Sequence, residues 1–518
     1  MQLLEIADLS TAELLSTHFT GIKRGIEKES LRIRCDGHLS QKPHPQALGS
    51  ALTNPHITTD YSEALPELIT AASSDRQQPL RELTQIHQFI YQHLDDEYLW
   101  AMSMPCVMEA ESQIPIAHYG SSNAAKMKEI YRVGLGHRYG RLMQTIAGVH
   151  YNFSLPQAFW QAFHQQQNSS MSLQEFISDK YMGLIRNYLR FSWLIPLFYG
   201  ASPALCESFF QNRAIDLEEL VPGTRYDRYA TSLRMSDLGY QNKAQSRLDV
   251  SYNSLAGYID GLESAISTVD PLYQKIGIVE QGQYRQLNAN ILQIENEFYS
   301  SIRPKRVSTS GERPSKALRN GGVEYVEIRA LDLNPFSPIG IDQSQIAFLD
   351  AFLLACVFAP SPDINQRETG EYQENFRAVV RKGRHPGLCL ALENRCIPTA
   401  EAAHNLLGQI LPFADMLDSV YETAEHANEI SALQKQLANF DTTLSGKIIA
   451  DIKQRNDGFF PYAMEISQNH KKHFEGLKLA PEVLAGFERA AAKSHQRQAQ
   501  IESDDRISFE AFLANYYE

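Results

Sequence analysis

Three segments of this chain alternate with a period of two, and that alternation limits its fold more than any other feature. Arg24–Ile33, Gln144–Ser154 and Val323–Leu331 are rich in β-branched or aromatic residues and read as strands. A strand turns successive side chains to opposite faces. In Arg24-Gly-Ile-Glu27-Lys-Glu29-Ser-Leu-Arg32-Ile, Glu27 and Glu29 therefore project together. Two close carboxylates repel one another unless a cation lies between them, and Mg²⁺ prefers oxygen ligands. Taken alone, the pair reads first as a solvated strand face beside Lys28 and Arg32.

Other segments supply partners for it. In Ile57–Ile69, Asp60 and Glu67 sit among apolar and hydroxyl residues, and Pro66 cannot donate to a sheet ladder, which predicts a bulged or edge strand. In the second alternating segment Val149, Tyr151 and Phe153 would face a core. Gln144, Ile146, His150, Asn152 and Ser154 would share the other face. A mid-strand histidine on a polar face suits a site, although a lone histidine also suits a structural role. In the third, Val326, Ile328 and Ala330 make an apolar face opposite Glu327 and Arg329. Those two are either a plain ion pair or a metal ligand beside an anion clamp. Arg234 is a further cation. Arg303, Lys305 and Arg306 form a basic turn fixed by Pro304, suited to ATP phosphates or to an ordinary surface loop.

Composition narrows the class. With 518 residues and 43% hydrophobic content the chain can bury a large core, and length alone suggests two to four domains or one elaborated domain. Lys+Arg 48 against Asp+Glu 61 gives −13, with no basic block, so neither nucleic acid nor an anionic membrane is expected as partner. The first residues lack signal-peptide character, and the apolar stretches Phe191–Leu205 and Ile346–Ala359 read as buried helices. Six cysteines (35, 106, 206, 356, 389, 396) form no CxxC pair, so reduced thiols and a cytoplasmic location are expected. No phosphate-loop, HExxH or GxSxG signature is present. His470-Lys-Lys-His473 reads as solvated. Glu401–Met416, with a kink or end at Pro412, Asp418–Phe440 and Pro481–Ile501 read as helices. These readings divide the chain into a catalytic α+β body at 1–375 and a mainly helical region at 376–518.

Together the segments resemble the proteobacterial type of glutamate–cysteine ligase. The resemblance runs through Arg24–Ile33, Leu48–Thr70, Met102–Pro105, Tyr131–Pro156, Ile185–Cys206, Tyr229–Lys243, Leu292–Arg306 and Gly322–Gly340. It thins over Gln211–Arg228 and most of the C-terminal third. It implies a curved, mainly antiparallel sheet forming a funnel flanked by helices, with an active site like that of glutamine synthetase. It also implies ATP-driven joining of L-glutamate to L-cysteine by way of a γ-glutamyl phosphate, the first step of glutathione synthesis. Mg²⁺, replaceable by Mn²⁺, would be held by Glu27, Glu29, Asp60, Glu67, His150 and Glu327. Arg234 and Arg329 would steady the phosphoryl group or substrate carboxylates, and Arg303, Lys305 and Arg306 the nucleotide. Gln144, Ile146 and Asn152 would line a glutamate pocket. Tyr131, Leu135, Tyr240 and Tyr299 would line a cysteine pocket, with Tyr61 where the family often has Phe. A ligase using another amine, or a non-catalytic relative, are the competing readings, and a monomer is expected.

Overall fold

The computed structural model describes residues 9–105, 107–210, 216–238, 248, 250–308, 311–392 and 395–518. The alternating segments lie in one six-stranded sheet: β1 (Lys23–Glu29), β2 (Ile57–Thr59), β3 (Pro66–Ile69), β4 (Val149–Ser154), β5 (Ile302–Lys305) and β6 (Tyr325–Leu331). Their order is β5-β6-β4-β1-β3-β2, and every neighbouring pair is antiparallel. Ile26, Tyr151, Phe153, Val326 and Ile328 on one face are fully buried. Such a one-sided sheet must cover its apolar face, and helices do so. The first, α1 (Gln78–Tyr91), lies against β1 and β3, while α3 (Leu173–Phe191) lies against β5 and β6; α2 (Asn123–Tyr139) comes between them in sequence.

Of the two apolar stretches expected as buried helices, Ile346–Ala359 is α4 (Gln343–Phe358), started by a capping box of Asp342 and Gln345 and buried over its whole length after Ser344. Helix α4 packs on α3, on α5 (Thr399–Tyr421) and on α6 (Glu425–Gln436). Phe191–Leu205 instead starts on the last residue of α3, is helical again only over Leu194–Tyr199 and runs into a strand at Ala204–Cys206. Three further helical readings need correcting. Pro412 does not end α5, which continues to Tyr421. Burial of Ile410, Phe413, Ala414 and Leu417 outweighs the proline's cost of about 3 kcal/mol. The segment from Asp418 onward is not one helix, because Glu422 takes a left-handed φ of 53° and separates α5 from α6. Within α7 (Phe459–Glu475), Lys471 is buried rather than solvated, and its ammonium donates to the Glu97 carbonyl at 3.0 Å. His470 beside it is pushed down to about 4 by burial.

Two further helices, α8 (Pro481–Asp504) and α9 (Phe509–Tyr517), follow. Cys389 and Cys396 come together across a hairpin of Cys389–Leu392 and Arg395–Pro398, with Cα atoms 5.4 Å apart, a separation that a disulfide can span. A spacing of seven matches no framework pattern, and the register sets Cys389 opposite Pro398 and Cys396 opposite Ala391, so the two cysteines meet on a diagonal that sequence spacing does not reveal. Among the described residues no helix is long and apolar enough to cross a membrane.

Candidate functional site

The sheet's other face collects the acids. Register sets Glu27 opposite His150, Glu29 opposite Glu67 and Glu327 opposite Asn152. His150 bridges the strands, with Nδ1 3.3 Å from Glu27 Oε2 and Nε2 3.8 Å from Glu29 Oε1. The Asn152 amide donates to Glu27 Oε1 at 2.9 Å, and its own Oδ1 has no hydrogen-bond partner among the described residues. Two trios arise, Glu27–His150–Glu327 and Glu29–Glu67–His150, each with donor atoms within 4.8 Å of one another. Asp60 lies in neither. It follows β2, close enough for its charge to act on Glu29 and Glu67.

Electrostatics tests whether these residues fit a cation. Glu67 is held well above the usual carboxylate range by burial and then by Glu27, Asp60 and Glu29. Burial also raises Glu29. Glu27 and Glu327 go the other way despite burial: the His150 hydrogen bond lowers Glu27, and Lys305 and Arg329 lower Glu327. Carboxylates crowded at such cost, with a single nitrogen donor among them, suit a hard divalent ion.

A sign follows for the metal-free protein. Folded Glu67 and Glu29 keep protons that the unfolded chain has released, so stability falls as pH rises from about 4.5 towards neutrality. Below that range Glu27 and Glu327 lose their contribution instead. His44, His87 and His470, lowered by burial, act with the opposite sign whether or not metal is present. The carboxylates are therefore read from the difference between melting in EDTA and in Mg²⁺, which is expected to widen as pH rises above about 4.5. A slope equal in both conditions would remove these carboxylates as ligands. Lys28, lowered to about 7 by burial, acts only above this window.

The cations line the same face. Arg329 Nη1 sits 3.1 Å from Glu327 Oε2, and Lys305 Nζ 3.3 Å from Glu327 Oε1. The basic turn is in fact edge strand β5, with Arg303 opposite Glu327, because Pro304 is tolerated where one side of the ladder is open. Arg303 donates to the Asn296 carbonyl at 3.0 Å and to that of Phe298. Arg306 turns away, donating to the Gly321 and Gly322 carbonyls at the end of a neighbouring helix. Arg234 is buried beneath β6, where it donates to the Arg329 carbonyl at 3.1 Å and stands 3.8 Å from Asp332. A Cβ on Gly148 would collide with its guanidinium, so glycine there lets Arg234 approach.

Other expected positions fall unevenly. Tyr61 and Leu135 are buried, while Tyr131 and Tyr299 are half-buried. The Arg303 charge reaches both of the latter. Tyr240 lies outside the described residues. The strand begins at Val149, and Gln144 sits in a 3₁₀ turn at Leu142–Thr145, so alternation does not place Gln144 and Ile146 beside His150. Sequence reasoning missed Arg132. It donates to the Asp60 carbonyl and, at 2.9 Å, to that of Lys128, so it ties the loop after β2 to α2. Its place next to Tyr131 was the available signal.

The family model for glutamate-cysteine ligase matches residues 6–379. A glutamate–cysteine ligase of Alcanivorax borkumensis is 49% identical over 502 residues, covering 96% of each chain. One of Pseudomonas putida is 47% identical over 492 residues, covering 95% of this chain and 94% of its own. The crystal structure of the Francisella tularensis glutamate–cysteine ligase in complex with AMP superposes with a TM-score of 0.90 at 35% identity, covering 96% of this chain and 97% of that one. Fold, site and relatives together define a ligase. The chain belongs to the glutamate–cysteine ligase family.

Proposed function

We propose that this protein joins the γ-carboxylate of L-glutamate to the amine of L-cysteine at the expense of ATP, the first step of glutathione synthesis. The observation that carries this is the single sheet face on which Glu27, Glu29, Glu67, His150 and Glu327 meet Arg329 and Lys305. A carboxylate acylates poorly because oxide would have to leave. Transfer of the ATP γ-phosphoryl to the glutamate γ-carboxylate releases ADP and gives an acyl phosphate. The cysteine nitrogen attacks the acyl carbon, loses a proton, and phosphate departs with the C–O bonding pair.

Glu27, Glu29, Asp60, Glu67, His150 and Glu327 would hold Mg²⁺, which when bound offsets phosphate charge. Arg329 and Arg234 are the guanidinium candidates for the phosphoryl oxygens or substrate carboxylates, and Arg303 and Lys305 for the nucleotide. Asn152, fixed by Glu27, presents an unused carbonyl oxygen to a glutamate ammonium. Tyr61, Tyr131, Leu135, Tyr240 and Tyr299 would form the thiol pocket. The AMP bound to the Francisella relative supports a nucleotide site here. The sheet would form the wall of a funnel, with residues 1–375 as catalytic body and 376–518 as helical buttress.

The test is ADP release with ATP, Mg²⁺, L-glutamate and a panel of amines. Turnover is expected to need both amino acids and to favour cysteine. Equal turnover with another amine in the absence of cysteine would defeat the cysteine assignment.

A further inference from the structure

We infer that the C-terminal helix α9 is a positioning element of the acceptor pocket, fixing α2 and with it the pocket walls Tyr131 and Leu135. This rests on the reading of that pocket given above. The family match ends at residue 379, so it assigns nothing to α9.

Gln293 is the link. It is fully buried, and because Gly134 of α2 has no side chain, its amide lies where a Cβ would stand. That amide donates to the Tyr131 carbonyl at 3.2 Å and accepts from the Leu287 backbone N–H at 3.0 Å. The Tyr517 hydroxyl of α9 donates to the Gln293 carbonyl at 2.7 Å while accepting from the Asn288 amide at 2.7 Å. One residue therefore separates α9 from the backbone of Tyr131. A second hold lies at the start of α2. Asp505 accepts from the Asn123 backbone N–H at 2.5 Å and from its side-chain amide at 2.6 Å. Between the two, Phe509 and Phe512 pack in one apolar cluster with Met127 and Ile130 of α2. A buried hub with every polar group engaged is stiff, and pocket geometry set through it is sensitive to loss of one bond.

Tyr517→Phe removes one oxygen from this chain of contacts. Its KM for cysteine is expected to rise about threefold to tenfold, the factor of one net hydrogen bond. KM for glutamate and for ATP, and kcat at saturating cysteine, are expected to stay within about twofold. Asp505→Ala, at the other end of α2, is expected to move the same constant. An unchanged cysteine KM in both variants, or all three KM values rising together, would overturn the inference. If the unsubstituted enzyme uses a different amine, the acceptor reading fails first, and the KM for that amine then tests the role of α9 separately.

Discussion

Glu67→Gln is expected to lower turnover by at least about a hundredfold while raising the melting temperature of the metal-free protein. The two effects have one cause. Glu67 is half-buried opposite Glu29, under the charges of Glu27, Asp60 and Glu29, and its carboxyl is held well above its usual range. A neutral amide of the same shape relieves that repulsion and forfeits an anionic oxygen that a cation would use. Glu27→Gln and Glu327→Gln are expected to lose activity comparably without the stability gain, because attractive partners hold these two charged. Steady-state kinetics over a Mg²⁺ series, with melting in EDTA, separate the cases. Near-normal turnover of Glu67→Gln at limiting Mg²⁺, or a lower melting temperature in EDTA, would refute the assignment. Stability gained where activity is lost marks a site held in a costly arrangement for chemistry.

The sequence exposes such a site only in part, and the physical reason is range. Side-chain alternation is local, so the faces carrying Glu27, Glu29, His150, Asn152, Glu327 and Arg329 are readable from single segments. Which strand lies beside which is non-local, and a one-residue slip would turn each face over. The pairing of Glu29 with Glu67 and of Glu327 with Asn152 belongs to the sheet alone. Alternation also misleads where a strand stops: Gln144 shares the sequence rhythm of His150 but sits in a turn. Composition cannot tell a basic turn from a basic edge strand, so it groups Arg306 with Arg303 and Lys305 although Arg306 binds the carbonyls of Gly321 and Gly322. Lys28, which alternation turns away from Glu27 and Glu29, is buried on the apolar side with its ammonium 2.7 Å from His87 Nε2.

The largest structural effect is expected 326 residues away in sequence from the strand it supports. Asp350 of α4 is fully buried and accepts from Arg24 Nε at 2.7 Å and from the Tyr151 hydroxyl at 2.6 Å. Arg24 lies on β1 and Tyr151 on β4, the two strands that set Glu27 opposite His150. Asp350→Ala leaves the Arg24 guanidinium buried with only the Ile22 carbonyl and the Tyr421 hydroxyl as partners. Breaking one side of a buried pair costs about 3–5 kcal/mol, a large part of the roughly 5–15 kcal/mol that keeps a domain folded. Urea unfolding is expected to show that loss as a lower midpoint at unchanged slope. A loss under about 1 kcal/mol would mean the charge finds water or another partner. The orphan charge, not the missing contact, is the cause, and a second variant shows it. Arg24→Met, Asp350→Leu and Tyr151→Phe together remove both charges and the hydroxyl that would lose its acceptor, so most of the loss is expected to be regained. Activity should return with it only as far as β1 and β4 recover the register that brings Glu27 to His150.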